Sequence, residues 1–161
     1  MALSRPKERI HPSALKVWRI HGIIFFVIEL GVALGYYFLA REISALPKFL
    51  FYILLALSGF MGVLHIIVVP QIRMIYWGYE LREEEVDIQF GIIVIKRSLI
   101  PMTRIQHVDT HHGPFMRLFG LATLSISTAG TKHQIPALKQ ETAESLRRRI
   151  SQLALESEDD V

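Results

Sequence analysis

The chain has no cysteine, which excludes a disulfide framework, a thiolate metal centre and a thiol nucleophile. Charge is also scarce: 20% of the 161 residues are Asp, Glu, Lys or Arg, against 51% hydrophobic. That balance excludes a disordered or collagen-like chain, and the mean hydropathy of +0.33 is too high for an ordinary small soluble domain. A formal net charge of +3 is too small to mark a nucleic-acid binder. No Gly-x-Ser-x-Gly, P-loop, Gly-x-Gly-x-x-Gly or His-Glu-x-x-His motif occurs, so the sequence names no reaction and implies no cofactor. Internal repeats and low-complexity segments are absent too.

What is present is unevenly placed. Residues 22–40 read GIIFFVIELGVALGYYFLA, with Glu29 the one charge, and residues 49–69 read FLFYILLALSGFMGVLHIIVV, with His65 the one group able to become cationic. At about 1.5 Å per residue these runs reach about 28 and about 31 Å, the thickness of a bilayer's hydrocarbon core. Neither shows the polar face of a soluble core helix. A signal peptide is disfavoured because no small-residue cleavage site follows the first run and a second run comes almost at once. The reading is two membrane spans, joined by the short REISALPK connection into an antiparallel hairpin (residues 22–69). Arg5, Lys7, Arg9, Lys16 and Arg19 make residues 1–21 a basic segment; the connection carries Arg41 and Lys48, and the other eleven of the 18 basic residues follow residue 70. Both termini are therefore expected in the cytoplasm and the connection outside, in the cell (plasma) membrane. Trp18, Tyr36, Tyr37, Tyr76, Trp77 and Tyr79 suit the two interfaces.

After Pro70 the character changes, and a cytoplasmic domain is expected over residues 77–155. Tyr79 and Leu81, then Val86, Ile88 and Phe90, alternate with polar residues as half-buried strands do. Glu83-Glu84-Glu85 marks a turn between them. Gly91 separates a third strand over 92–99, and Pro101 starts a fourth that ends at His111-His112-Gly113-Pro114. Residues 115–119 read as one helical turn, 121–128 and 133–138 as strands around the Ala129-Gly130 turn. Ala143, Leu146, Ile150 and Leu153 recur at helical spacing over 141–155. An acidic tail, 156–161, is expected to fray. The fold class is thus α+β: a transmembrane hairpin, then a small antiparallel barrel or sandwich capped by a C-terminal helix.

Three blocks carry a resemblance: Ile100-Pro101-Met102-Thr103-Arg104-Ile105-Gln106-His107-Val108, Arg117-Leu118-Phe119-Gly120-Leu121-Ala122-Thr123-Leu124, and Ser127-Thr128-Ala129-Gly130. In order and spacing they resemble the bacterial pleckstrin-homology-like (PH-like) domain of the YdbS/YdbT membrane-protein family, and the two preceding spans match its small member. The resemblance implies a seven-stranded PH-like barrel with a C-terminal helix and a larger partner carrying several such domains. It implies no reaction.

Candidate sites follow. Arg104, Gln106, Arg117, Phe119 and Gly120 form either a partner surface or structural turns, Gly120 in a turn needing positive φ and Arg104 satisfying carbonyls. Eukaryotic PH domains hold phosphoinositides with basic residues in the loop joining the first two strands. Here that loop is Arg82-Glu83-Glu84-Glu85 beside Glu80, whose carboxylates would repel a phosphate. Arg73, Lys96 and Arg97 are candidates for weak contact with anionic lipid, or are simply part of the positive-inside signal. His107, Asp109 and His111 share one strand face at a spacing suited to zinc, but with no accompanying motif no metal is expected. In the hairpin, Glu29 and His65 reach similar depth, where a hydrogen bond or ion pair can join them, and Gly31/Gly35 and Ser58/Gly62 offer helix-interface spacings. The functional expectation is a non-enzymatic membrane-anchored interaction module, a subunit beside a larger paralogous membrane protein, with the bilayer as its surroundings and no nucleic acid as partner. The alternatives are an anionic-lipid sensor, or a component of an intramembrane transport or enzyme assembly using Glu29 and His65.

Overall fold

The computed structural model describes residues 6–159. It forms two compact units: residues 15–72, and the N-terminal segment through Ala14 together with the chain from Arg73 on. The termini Met1 and Val161, Arg5 and the last two residues of the acidic tail lie outside the described residues.

The first unit is helical. Lipid offers a backbone no hydrogen-bond partner but itself, so unbroken apolar runs of this length fold as helices. α1 (Ala14–Glu42) is followed by α2 (Phe49–Val63), which continues through a π turn, Leu64–Val68, into α3 (Val69–Tyr76). Pro70 accounts for the widened turn: it has no N–H to give the preceding turn and its ring crowds the carbonyl there. The Val69 N–H accordingly reaches back to Leu64. Over their most apolar windows α1 and the continuous helix Phe49–Tyr76 have mean hydropathies of 2.1 and 2.3, with only 11% of each window buried. A soluble protein's core helix would be mostly covered. These two are long and apolar enough to cross a membrane, and both run past the expected spans 22–40 and 49–69.

In the second unit, β1 (Gly78–Leu81), β2 (Glu85–Phe90) and β3 (Lys96–Pro101) make one antiparallel sheet in that order, and β4 (Ile105–His111), β5 (Leu121–Thr128) and β6 (Lys132–Lys139) make another. A 3-10 turn, Met102–Arg104, links the sheets, and α4 (Pro114–Leu118) links β4 to β5. α5 (Gln140–Asp159) lies over β4, β5, β6 and the 3-10 turn. Val86, Ile88, Ile100, Leu121, Leu124, Ile126, Ile135 and Ile150 fill the core.

Four expectations need correction. The third strand begins at Lys96, not at residue 92: Gly91, at φ +146°, folds the chain back so tightly that residues 92–95 form a loop. The fourth begins at Ile105, because Pro101 ends β3 and the 3-10 turn intervenes. The acidic tail does not fray at Glu156, since α5 runs on to Asp159. Nor is the N-terminal segment separate from the domain. Glu8 makes a β-bridge with Tyr79 on the free edge of β1, the His11 N–H donates to the Ala137 carbonyl at 3.0 Å, and Ile10 is buried. Ala137 can accept because β6 bulges there, with φ +54° and a register shift against β5. Among the described residues there are six strands, one fewer than the resemblance implies.

Candidate interaction surfaces

Strand alternation puts Val86 and Ile88 on one face of β2 and Asp87 on the other, yet all three are buried. Asp87 tolerates burial because two guanidiniums reach it: Arg97 Nε donates to Oδ1 at 2.9 Å and Arg82 Nη2 lies 3.4 Å from Oδ2. Arg82 also donates to Glu85 at 2.7 Å and to Glu80 at 3.3 Å, and Lys7 Nζ lies 3.4 Å from Glu80. Hydrogen bonding to Glu80 pushes the Arg82 guanidinium above its ordinary range, and hydrogen bonding to Asp87 does the same for Arg97. The cluster neutralises itself and leaves Glu83 and Glu84 exposed at the β1–β2 turn. Of the three lipid-contact candidates, Arg97 is therefore committed to Asp87, while Arg73 and Lys96 are exposed.

The blocks that carried the resemblance separate into two places. Arg104 and Gln106, both exposed, line an open groove with Thr128, Ala129, Gly130 and Thr131 of the β5–β6 turn. The pairing of Ile105 with Thr128 brings these two blocks together. Arg104 projects into solvent, so it does not satisfy buried carbonyls. Arg117, Phe119 and Gly120 lie at the opposite end of the same sheet, where His111 pairs with Thr123. Gly120, at φ +62°, makes the left-handed turn expected of it, and its carbonyl accepts from the Gln140 N–H at 3.1 Å, seating the start of α5. Nearby, Arg147 and then Thr110, donating at 2.9 Å each, hold the Glu144 carboxyl below its ordinary range and tie α5 to β4. His107, Asp109 and His111 lie exposed along β4. Among the described residues no group of three or more His, Asp or Glu side chains converges as metal ligands would.

The profile of the Bacterial PH domain matches residues 24–154, helices and sheets together. The chain belongs to the bacterial PH-domain family. It is 43% identical over 98% of both chains to the UPF0699 transmembrane protein YdbS of Bacillus subtilis (strain 168). It is 29% identical to that organism's UPF0699 transmembrane protein YdbT, where 92% of this chain covers 30% of the longer protein. No solved structure matches.

In this bacterial PH-domain protein the hairpin's contacts differ from the expected set. A Cβ added to Gly22 would lie 2.6 Å from the His65 carbonyl oxygen, and one added to Gly62 would lie 2.6 Å from the Phe26 ring. Ser58 is buried at 3% exposure. Ser58, Gly62 and Gly22 therefore lie on the covered side of the hairpin, Gly22 outside the i,i+4 spacings. Gly31 and Gly35 are exposed, with nothing within 4 Å of an added Cβ, so they take no part in closing the hairpin. No hydrogen bond joins Glu29 to His65. The His65 ring stacks on Phe25, 6.1 Å between centroids, because its helix turn is level with Gly22, about 10 Å from Glu29 along α1. Glu29 Oε2 and Ser58 Oγ are both buried without a hydrogen-bond partner.

Proposed function

We propose that this bacterial PH-domain transmembrane protein is a non-enzymatic interaction module. Its hairpin crosses the plasma membrane twice, and its PH-like unit faces the cytoplasm as one subunit of a complex with a longer relative. The orientation is supported by the basic-residue distribution and by the two chain segments flanking the hairpin, which share one compact unit through Glu8 and Tyr79. Two segments so joined fit a hairpin whose flanks lie on one side of the bilayer. The observation that carries the partner reading is the unused face of α1. Gly31 and Gly35 form a small-xxx-small pair that this hairpin leaves open, and such pairs let a second helix approach closely. A relative of which this chain covers 30% has the length for several such modules. The buried Glu29 oxygen lies on the other side of α1, toward the hairpin's own interior.

The test is purification of the tagged protein from native membranes in mild detergent. A longer bacterial PH-domain protein should co-purify in fixed ratio, and Gly31→Leu with Gly35→Leu should abolish recovery without changing the membrane level. Undiminished recovery from the Gly31→Leu, Gly35→Leu double variant would overturn the reading.

A further inference from the structure

The β2–β3 loop holds the least expected surface of the PH-like unit. Ile93, Val94 and Ile95 are 95%, 68% and 48% exposed, and Ile92 beside them is half-exposed. Single exposed aliphatics are ordinary, but a consecutive run at a hairpin tip, where polar turn residues are usual, calls for a covering surface. The loop's conformation is built rather than slack. At φ +146° Gly91 brings the Val94 carbonyl oxygen to 2.1 Å from where a Cβ would stand, so only glycine allows the chain to turn back and present these side chains.

Register places the loop at one particular end of its sheet. Gly78 pairs with Gln89, so the loop leaves β2 at the end where β1 begins, and β1 begins two residues after Tyr76, the last residue of α3. Trp77, in that connection, stacks on Phe90 at 5.6 Å between centroids, immediately before the loop. A Tyr-Trp pair after an apolar helix marks the headgroup level of a bilayer. The first residue after the loop, Lys96, is exposed and carries the charge that anionic headgroups attract.

We infer that residues 92–95 insert into the headgroup–acyl boundary of the leaflet from which α3 emerges, with Lys96 at the anionic headgroups, so that the PH-like unit is held against the membrane by its β2–β3 loop. This rests on the reading that Phe49–Tyr76 crosses the bilayer, and the experiment below separates the two. The covalent tether argues for lipid over protein: the loop cannot be far from the surface that α3 leaves, because two residues span no more than about 7 Å.

The absence of cysteine makes the test clean. Ile93→Cys, Val63→Cys and Glu83→Cys, each in the full chain, are labelled with an environment-sensitive fluorophore and reconstituted in vesicles of phosphatidylcholine and phosphatidylglycerol. Nitroxides near the ester carbons should quench Ile93→Cys and shift its emission to the blue, whereas Glu83→Cys, at the opposite turn, should respond only to aqueous iodide. Val63→Cys should be quenched by nitroxides near the chain ends, which reports the span alone. Iodide quenching at Ile93→Cys equal to that at Glu83→Cys, with Val63→Cys still deep, would overturn the inference and leave the anchor intact. Protection of Ile93→Cys in native membranes but not in vesicles would overturn it in favour of a protein occupant. A shallow or aqueous Val63→Cys would remove the anchor reading on which the inference rests.

Discussion

Glu8 and Tyr79 exchange both main-chain hydrogen bonds, at 3.1 and 2.9 Å, across 71 positions of sequence that include both long helices. The Tyr79 hydroxyl also donates to Glu8 Oε2 at 3.4 Å. Burial first, and then the Glu8 carboxylate, push the phenol from 10.0 up to about 12.

The sign of the resulting pH dependence is fixed by that shift. The folded state holds the proton more tightly than the unfolded chain, so the stabilisation is complete below pH 10 and is lost as pH rises through about 12. In a difference absorbance titration, Tyr79→Phe should remove a phenolate step near pH 12. Loss of a step near pH 10 instead would show that Tyr79 is not sealed by the N-terminal segment.

The buried Asp87 makes a sharper demand. Removing Arg97 leaves a carboxylate with 0% exposed side chain and only the longer Arg82 contact. Breaking such a pair costs about 3–5 kcal/mol, whereas an apolar pair of similar volume is tolerated. Arg97→Met should therefore lower the melting temperature in detergent well below that of Arg97→Met with Asp87→Leu. Equal melting of the two variants would contradict the pairing.

Helix-interface glycines show where the sequence could be read and where it could not. Ser58 is buried and Gly62 sits against Phe26, whereas Gly31 and Gly35 lie on an open face of α1; an i,i+4 pattern names a close-packing face without saying what it faces. Gly22 gave no pattern at all: its role depends on the His65 carbonyl across the hairpin. Strand alternation located β1, β2, β5 and β6 within a few residues. It failed over 92–95, where apolar residues imitate a strand but Gly91 turns the chain. It also could not show that Asp87 is buried, since Arg82 and Arg97 come from neighbouring positions in space. The outcome for the hairpin is measurable. Gly22→Val should cost about 1–3 kcal/mol or more through overpacking, read as thermal stability in detergent, while Gly31→Val leaves it unchanged.

The C-terminal helix supplies a fourth expectation. Ile150 is fully buried where α5 covers the second sheet, and truncating a core side chain of this size costs about 2–5 kcal/mol. Ile150→Ala should reduce the melting temperature of the full chain strongly, and the exposed neighbour Ser151→Ala should not. An unmoved transition in Ile150→Ala would mean that α5 does not hold the sheet.

The central claim is that one unit, built from both ends of the chain, faces the cytoplasm on a two-span hairpin. Cysteine accessibility in intact cells tests it most directly, with Lys7→Cys, Ser44→Cys and Ser145→Cys as single introduced thiols. A membrane-impermeant maleimide should label Ser44→Cys in intact cells, and Lys7→Cys and Ser145→Cys only after permeabilisation. Labelling of Lys7→Cys or Ser145→Cys in intact cells, or protection of Ser44→Cys, would contradict the account.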